Sequence, residues 1–317
     1  MTQTTRKPNV SGVRDALEKL RKVIPQTPIR RAQIGESIVW LKCESAQPMG
    51  AFKLRGAWHR LTALSEAEQK AGVVAFSSGN HAQGVAWAAQ KLKIAATIVM
   101  PSDAPALKIS GTRTLGAEVI LYDRATQSRE AIAAELAQAR GAVLVPSFDD
   151  PWIIEGQGSC GLEAAEQLGF APTRVIVPCG GGGLAAGIAL ALPSAAIFTV
   201  EPEGWDDMAQ SLRAGHIIPV GKDAPPTLCD ALMTPRVSAL TFDVLHGGGA
   251  HGVAVSEAET AAAMRFAYHE LGLTIEPGGA VALAAAMVGK VEHTEATLII
   301  LSGGNVDPAL FAKVLGH

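Results

Sequence analysis

Short, uninterrupted apolar runs alternate along this chain with longer segments whose apolar residues recur at every third or fourth position, the pattern of strands and helices taken in turn. The periodicity predicts a helix over 11–23. Pro25-Gln26-Thr27-Pro28 then turns the chain into an extended segment and a strand at 38–42. From 73 onward the alternation is regular. Strands at 73–76, 95–100 and 118–122 are separated by helices at 80–91, 105–115 and 126–140, and a short strand at 143–145 precedes a helix that Asp149-Asp150-Pro151 opens and that runs to about 168. A second set follows, with strands at 175–177, 197–200 and 298–301 and helices at 185–192, 256–271 and 279–288. Between 203 and 252 the pattern weakens, with Pro202, Pro225-Pro226, Pro235 and Gly247-Gly248-Gly249 interrupting it, and loops and short helices around a site are expected there. Buried strands joined by helices imply parallel sheets, so the fold class is α/β.

One lysine stands out against this pattern. Pro48 and Gly50 release the chain into a helical segment over 52–64, where Leu54, Ala57, Trp58 and Leu61 share a face, so Lys53 falls in its first turn. The positive end of a helix dipole disfavours a cation and lowers an amine pKa, which suits a lysine that must act as a neutral nucleophile. The plainer alternative is an exposed surface lysine.

Composition narrows the range of functions. The 317 residues are 48% hydrophobic and 18% charged, enough for two domains and a sizeable core. The formal net charge is −3 and no block of like charges occurs, which argues against nucleic acid or an anionic membrane as partner and favours small-molecule chemistry. Cys43, Cys160, Cys179 and Cys229 show neither CxxC spacing nor the density of a disulfide scaffold, pointing to buried thiols in a reducing cytoplasm. The stretch 1–10 is polar and does not read as a secretory signal. The uncharged stretch 180–200 has about the length of a membrane span, but its glycines and Pro193-Ser194 divide it into a short helix and a strand.

Four clusters follow strands, at the ends where open α/β sheets bind ligands. Ser77-Ser78-Gly79-Asn80-His81 offers hydroxyls and a helix N-terminus to a carboxylate or a ring oxygen, and is equally well read as a helix cap. Pro178-Cys179-Gly180-Gly181-Gly182-Gly183-Leu184 lets backbone N–H groups converge on a phosphate. Its spacing is not GxGxxG, and no GKS or GKT follows. Leu301-Ser302-Gly303-Gly304-Asn305 places a serine where it can bond a heteroaromatic nitrogen or simply make a turn. Glu201-Pro202-Glu203-Gly204-Trp205-Asp206-Asp207 carries enough oxygen ligands for a hard cation, or is an acidic solvated loop.

A nucleophilic lysine, a phosphate cradle and a polar partner for a ring nitrogen together describe a pyridoxal phosphate site. With Gly50-Ala51-Phe52-Lys53-Leu54-Arg55-Gly56-Ala57, Ser77-Ser78-Gly79-Asn80-His81, the tetraglycine loop, Glu276-Pro277-Gly278-Gly279-Ala280 and Ser302-Gly303-Gly304-Asn305 in register, nearly the whole chain resembles the tryptophan-synthase-β-like (fold type II) pyridoxal enzymes. Within them it resembles the serine/threonine dehydratases and serine racemases. The resemblance implies two parallel-sheet α/β domains with the cofactor between them, a large one from 1–70 and 150–317 and a small one from 71–149. It implies that Lys53 carries the cofactor as a Schiff base, Phe52 packs beside the ring, Asn80 contacts the ring hydroxyl, Gly180, Gly181, Gly182 and Gly183 hold the phosphate, Ser302 bonds the pyridine nitrogen, and Glu276 lies at the cofactor. Ser78, Asn80, His81, Arg129 and Thr234 would surround the substrate, with Lys53 and Ser78 catalytic. Glu201, Asp207 and the Trp205 carbonyl would hold Mg²⁺, or Mn²⁺ or Ca²⁺. A homodimer is implied on the same ground.

A neutral serine at the ring nitrogen makes the ring a weaker electron sink than an aspartate would, which suits β-elimination better than transamination. The expected activity is therefore a dehydratase (ammonia-lyase) of β-hydroxy amino acids such as serine, threonine or 3-hydroxyaspartate, giving a 2-oxo acid and ammonia. The alternative is a racemase, or both activities together, with Ser78 as a base on the opposite face. A β-replacement synthase fits less well, because its asparagine loop differs from residues 77–81. A nicotinamide-dependent dehydrogenase gives no reason for Lys53, and a cofactor-binding protein without catalysis is the reading furthest from these. Two departures from the family pattern bear on the substrate pocket: Cys229-Asp230-Ala231 replaces the usual Ala-Asp-Gly, and Met233-Thr234-Pro235 replaces a more polar run. No regulatory domain follows His317, from which a catabolic enzyme is expected.

Overall fold

Strand residues in this chain serve two cores at once, and that property sets its architecture. The computed structural model describes residues 6–104 and 106–317; residues 1–5 of the polar stretch 1–10, and Pro105, where the pattern starts a helix, lie outside the described residues. Among the described residues the strands are β1 (Ile29–Ile34), β2 (Ser37–Cys43), β3 (Val73–Phe76), β4 (Ala96–Pro101), β5 (Glu118–Tyr122), β6 (Val143–Leu144), β7 (Arg174–Pro178), β8 (Ala196–Pro202), β9 (His251–Val255) and β10 (Thr297–Leu301). They form a six-stranded sheet in the order β1-β2-β10-β7-β8-β9 and a four-stranded sheet in the order β5-β4-β3-β6. All neighbours pair in parallel except β1 and β2. In β10 every residue is buried, with Ile299 and Leu301 entering one core and Leu298 and Ile300 the other, the period of two that a sheet covered on both faces requires. The smaller sheet divides likewise: Ala75 and Ile98 face one core, Val74 and Val99 the other.

The helices that cover these faces are α1 (Val10–Leu20), α2 (Lys53–Leu61), α3 (Glu66–Ala71), α4 (Asn80–Leu92), α5 (Ala106–Thr114), α6 (Arg129–Arg140), α7 (Pro151–Leu168), α8 (Gly183–Ala191), α9 (Asp207–Ala214), α10 (Ala239–Gly247), α11 (Glu257–Leu271), α12 (Pro277–Met287) and α13 (Pro308–Leu315). The uncharged stretch 180–200 is split between α8 and β8, and no described helix is long and apolar enough to cross a membrane. Besides α13, three elements lie outside the predicted pattern. The extended segment after Pro28 is β1, an antiparallel edge strand whose Arg30, Arg31 and Gln33 are exposed, so it lacks an apolar run. Helix α3 buries none of its residues and rests on a capping box between Ser65 and Glu68, leaving no apolar stripe to read. Strand β9 is a half-buried edge strand, which conceals it at the end of the irregular stretch.

Helix α2 lies between the two lobes. Leu54, Ala57, Trp58 and Leu61 join the core beneath the four-stranded sheet, while Gly56 meets Gly156 of α7 so closely that a Cβ on Gly156 would lie 2.5 Å from the Gly56 Cα. A buried ion group fixes α2 in place. Arg55 donates Nε and Nη2 to the two carboxylate oxygens of Glu44 at 2.7 and 2.8 Å, and Nη2 also to Glu163 Oε1 at 2.7 Å. Lys42 Nζ reaches the same Glu163 oxygen at 2.6 Å. Burial alone would raise the Glu44 pKa, but Arg55 more than offsets it and holds it at about 2. Two cations thus face two anions, all essentially out of solvent.

Arg55→Ala leaves Glu44 and Glu163 with Lys42 as their one cationic partner in the group. Because a buried charge stripped of its partner costs about 3–5 kcal/mol, urea unfolding should show a loss of that size. A loss below about 1 kcal/mol, the level of a surface pair, would show that the group does not anchor α2.

Candidate active site

Parallel pairing brings the C-terminal ends of strands to one edge of each sheet, and the polar loops that follow β3, β7 and β10 leave from such edges. The loop after β10 is joined to the loop before α2: Phe52 N donates to the Ser302 carbonyl at 3.1 Å, Gly304 N to the Gly50 carbonyl at 2.8 Å, and Ala51 and Gly303 form an isolated bridge. Lys53 is the first residue of α2, as the pattern predicts. Its Nζ donates to the Ser147 carbonyl at 3.0 Å and lies 5.1 Å from the centre of the Phe52 ring. The next residue, Phe148, packs against the tetraglycine loop, since a Cβ on Gly181 would lie 2.2 Å from its ring. Segment 147–148 therefore ties Lys53 to a loop some 130 residues away in sequence.

Burial pushes the Lys53 pKa down to about 8. The sequence reading assigned this lowering to the helix dipole; the enclosure of the amine supplies it. Among the described residues no carboxylate is bonded to the ammonium to oppose the shift. His81 is buried beside it. Burial, then the Lys53 charge, push the His81 pKa down to about 3, so the ring is neutral, with Nε2 bonded to the Val145 carbonyl at 3.0 Å and Nδ1 left without a partner. His81 is an enclosed residue of α4, 2% exposed.

Asn80, at the start of α4, is held from both ends of its amide. It donates Nδ2 to Glu276 Oε1 at 2.6 Å and accepts at Oδ1 from Asn305 Nδ2 at 2.8 Å, while Asn305 also donates to the Met49 carbonyl. Burial, then the negative charge of Asp230, raise the Glu276 pKa to about 7. Its carboxylate lies against Gly303, where a Cβ would come within 2.1 Å of Oε1. Ser302 is 5% exposed, and its hydroxyl takes part in no hydrogen bond among the described residues.

In the tetraglycine loop Gly182 adopts φ +87°, a backbone conformation that favours glycine, and caps α8. Among the described residues the N–H groups of Gly180 and Gly181 meet no protein acceptor, while Thr241 Oγ1 donates to the Gly181 carbonyl at 2.8 Å and fixes the orientation of that peptide. Thr234 borders the same loop, its Oγ1 3.1 Å from where a Cβ on Gly180 would lie. Arg129, at the start of α6, sits 5.5 Å over the Phe76 ring and pairs with Glu130 at 2.8 Å, which places it beside the strand that leads into Ser77 and Ser78.

The acidic loop lies behind the tetraglycine loop: a Cβ on Gly182 would come within 2.8 Å of Met208, whose N–H bonds Glu201. Glu201 accepts from the backbone N–H groups of Met208 and Ala209 at the start of α9, and Asp207 Oδ2 accepts from Val237 N at 2.8 Å while Oδ1 is buried without a partner. Burial and then Asp207 push the Glu201 pKa well up, and burial raises Asp207 to about 7. Among the described residues no three His, Cys, Asp or Glu side chains gather as a metal-binding group, so the two carboxylates form a pair rather than a full ligand set.

Known proteins decide the family. The model of the family described as pyridoxal-phosphate dependent enzyme matches residues 20–303. The chain belongs to this pyridoxal-phosphate-dependent family. It is 40% identical to an L-threo-3-hydroxyaspartate ammonia-lyase from a Pseudomonas species over 95% of this chain and 96% of the relative. It is 37% identical to a serine racemase from Schizosaccharomyces pombe, over 98% of both. The solved structure of maize serine racemase superposes with a TM-score of 0.90 at 34% identity over 98% of each chain, which establishes the fold type II architecture.

The site of this pyridoxal-phosphate-dependent protein fits the cofactor on its own geometry. It offers an enclosed amine of lowered pKa, unsatisfied N–H groups at a helix start and a buried hydroxyl at a strand end. Sequence reasoning singled out neither Phe148, Thr241 nor Lys108, whose ammonium lies over Gly79. Thr241 carries one legible signal, as the third helical residue of the capping box that Ser238 opens.

A Schiff base forms only from the neutral amine. Uptake of pyridoxal phosphate by the cofactor-free protein, followed by the absorption band at about 410 nm, should therefore quicken as pH rises through about 8 and level off above it. Lys53→Ala should give no band at any pH, and an unchanged band in that variant would remove Lys53 from the role.

Proposed function

We propose that this chain is a dehydratase, an ammonia-lyase, of β-hydroxy amino acids, with L-threo-3-hydroxyaspartate among its substrates and L-threonine and L-serine chemically competent beside it. The observation that carries the reading is an enclosed, weakly basic amine at Lys53, tied through Ser147 and Phe148 to the tetraglycine loop. The names of the relatives support the substrate class.

When bound, pyridoxal phosphate supplies an electron sink for charge developing at the substrate Cα. Gly180, Gly181, Gly182 and Gly183 would hold its phosphate, Phe52 and Asn80 would flank the ring with Glu276, and Ser302 would meet the ring nitrogen with a hydroxyl rather than a charge. The start of α4, with Ser78 and the Asn80 N–H, holds the substrate α-carboxylate. Arg129 and Thr234 border the substrate from the two lobes. Lys53 removes the Cα proton as a neutral base, for which a pKa of about 8 leaves an appreciable unprotonated fraction at neutral pH. The Cα–H and Cβ–O bonds break, a C=C bond forms, and the proton held on Lys53 leaves with the departing hydroxide as water. The released enamine takes up water to give a 2-oxo acid and ammonia.

The likeness to serine racemases favours a second reading in which Ser78 works from the other face of Cα as an additional acid or base. Ser78→Ala should then lose most of any racemisation, by about tenfold or more, while elimination is less affected; chiral chromatography alongside ammonia release separates the two. Lys53→Ala should abolish 2-oxo acid formation from all three substrates. Failure of the cofactor-loaded protein to release any 2-oxo acid from them would remove the dehydratase reading.

Glu201, Asp207 and the Trp205 carbonyl are proposed to hold a divalent cation, Mg²⁺ with Mn²⁺ or Ca²⁺ as substitutes. Two adjacent buried carboxylates, one with an unpaired oxygen, call for a positive charge between them. Chelation should lower the melting temperature, and added Mg²⁺ should restore it in the parent protein but not in Asp207→Asn.

A further inference from the structure

Lys108 crosses the cleft. It belongs to α5 in the four-stranded lobe, yet its ammonium pairs at 3.0 Å with Asp230 Oδ2, in the single turn Asp230–Leu232 of the other lobe. On the way it covers the asparagine loop, since a Cβ on Gly79 would lie 3.5 Å from Lys108 Nζ, in ordinary contact. The lysine side chain is 16% exposed and Asp230 51%, so the cation is enclosed while its anion remains open to water. Both charges are felt at Glu276: after burial, Asp230 raises its pKa and Lys108 lowers it. A cation therefore stands above the loop that receives the α-carboxylate, and its partner in the structure is the carboxylate of Asp230.

This arrangement treats the candidate substrates differently. Serine and threonine bring a neutral side chain, and Lys108 can keep Asp230 as its partner. 3-Hydroxyaspartate brings a second carboxylate, which must find a cation or bear the cost of lost solvation. Arg129 is occupied by Glu130 and lies over Phe76. The ammonium of Lys108 is enclosed and bonded to one solvent-open oxygen, a partner that can be exchanged.

Resting on the dehydratase reading, we propose that Lys108 is the specificity residue for dicarboxylic substrates: its ammonium leaves Asp230 and takes the distal carboxylate of 3-hydroxyaspartate. Asp230 then acts as a competitor that keeps the lysine occupied for neutral substrates. The two residues should have opposite effects when replaced.

The experiment uses the cofactor-loaded enzyme. Lys108→Met should raise KM for L-threo-3-hydroxyaspartate by about tenfold or more, with kcat and the serine KM each moving less than about threefold. Lys108→Arg should retain most of the discrimination, and Asp230→Asn should lower KM for 3-hydroxyaspartate while leaving serine little changed. Calorimetric titration with succinate, a dicarboxylate without a reacting amine, should show the same order, and butyrate should show no dependence on residue 108. Equal losses for serine and 3-hydroxyaspartate in Lys108→Met would make the pair a plain strap between lobes and overturn the proposal, as would unaltered succinate binding. If the parent protein releases no 2-oxo acid from any substrate, the dehydratase reading fails separately, and the succinate titration still decides whether Lys108 binds the second carboxylate.

Discussion

Two basic residues one turn apart or less on the same helix are held in opposite electrostatic states, and the site depends on that contrast. Among the described residues Lys53 has a single carbonyl as hydrogen-bond partner and no bonded carboxylate, so burial favours its neutral form. Arg55 is more fully buried, yet it meets both oxygens of Glu44 and both of Glu163, so its charge is held firmly. Removing a cation from water is costly in either case. At Arg55 the cost is offset by two carboxylates, which makes the residue an anchor. At Lys53 it is left standing, which makes the amine reactive. The anchor also explains how α2 can present an unstable ammonium: the binding energy that seats the helix lies two residues further along, in a group that takes no part in the chemistry.

The same logic separates the carboxylates. Glu44 sits among cations with its pKa held at about 2, whereas Glu276 is raised to about 7 by burial and by Asp230, and Glu201 is raised by burial and by Asp207. Glu44 is bonded directly to a cation, whereas among the described residues neither Glu276 nor Glu201 accepts a hydrogen bond from one. In an α/β protein whose strand ends all carry polar loops, this distinction marks which loops are built to meet a ligand more sharply than their glycine content does.

How much of this was legible in the sequence follows from what each element needs. Buried parallel strands announce themselves because both faces must be apolar, so β3, β7 and β10 read directly, and with them the positions of Ser77, Gly180 and Ser302. Lys53 read as the first turn of α2 because Pro48 and Gly50 fix the boundary. Strand β1 and helix α3 did not read, since one exposes its charged residues and the other buries nothing. Nor did the residues that join the loops. Phe148 looks like any apolar residue before a helix, and its packing against Gly181 is a matter of tertiary contact alone. The resemblance supplied roles for the loop residues, but the lowering of the Lys53 pKa by enclosure needed the three-dimensional surroundings, and so did the pairing of Lys108 with a residue of the other lobe.

The amide of Asn80 shows how a site of this kind keeps its orientation without charge. Asn305 can present only hydrogens at Nδ2, and it directs them to the Met49 carbonyl and to Asn80 Oδ1. That choice forces Asn80 to turn its own Nδ2 toward Glu276, where the acceptor is a carboxylate oxygen. A flipped Asn80 would set oxygen against oxygen at Glu276 and leave Asn305 facing another donor. Thus Asn305, in the loop after β10, determines the direction of a hydrogen bond that begins in the four-stranded lobe and ends on α12 in the other. Because Glu276 lies near its midpoint at neutral pH, the acceptor in that chain changes character in the pH range where Lys53 also begins to lose its proton. Glu276 and Lys53, like Asp207 in the acidic loop, shift charge near neutrality, while His81, pushed to about 3, stays neutral and adds no charge beside the amine.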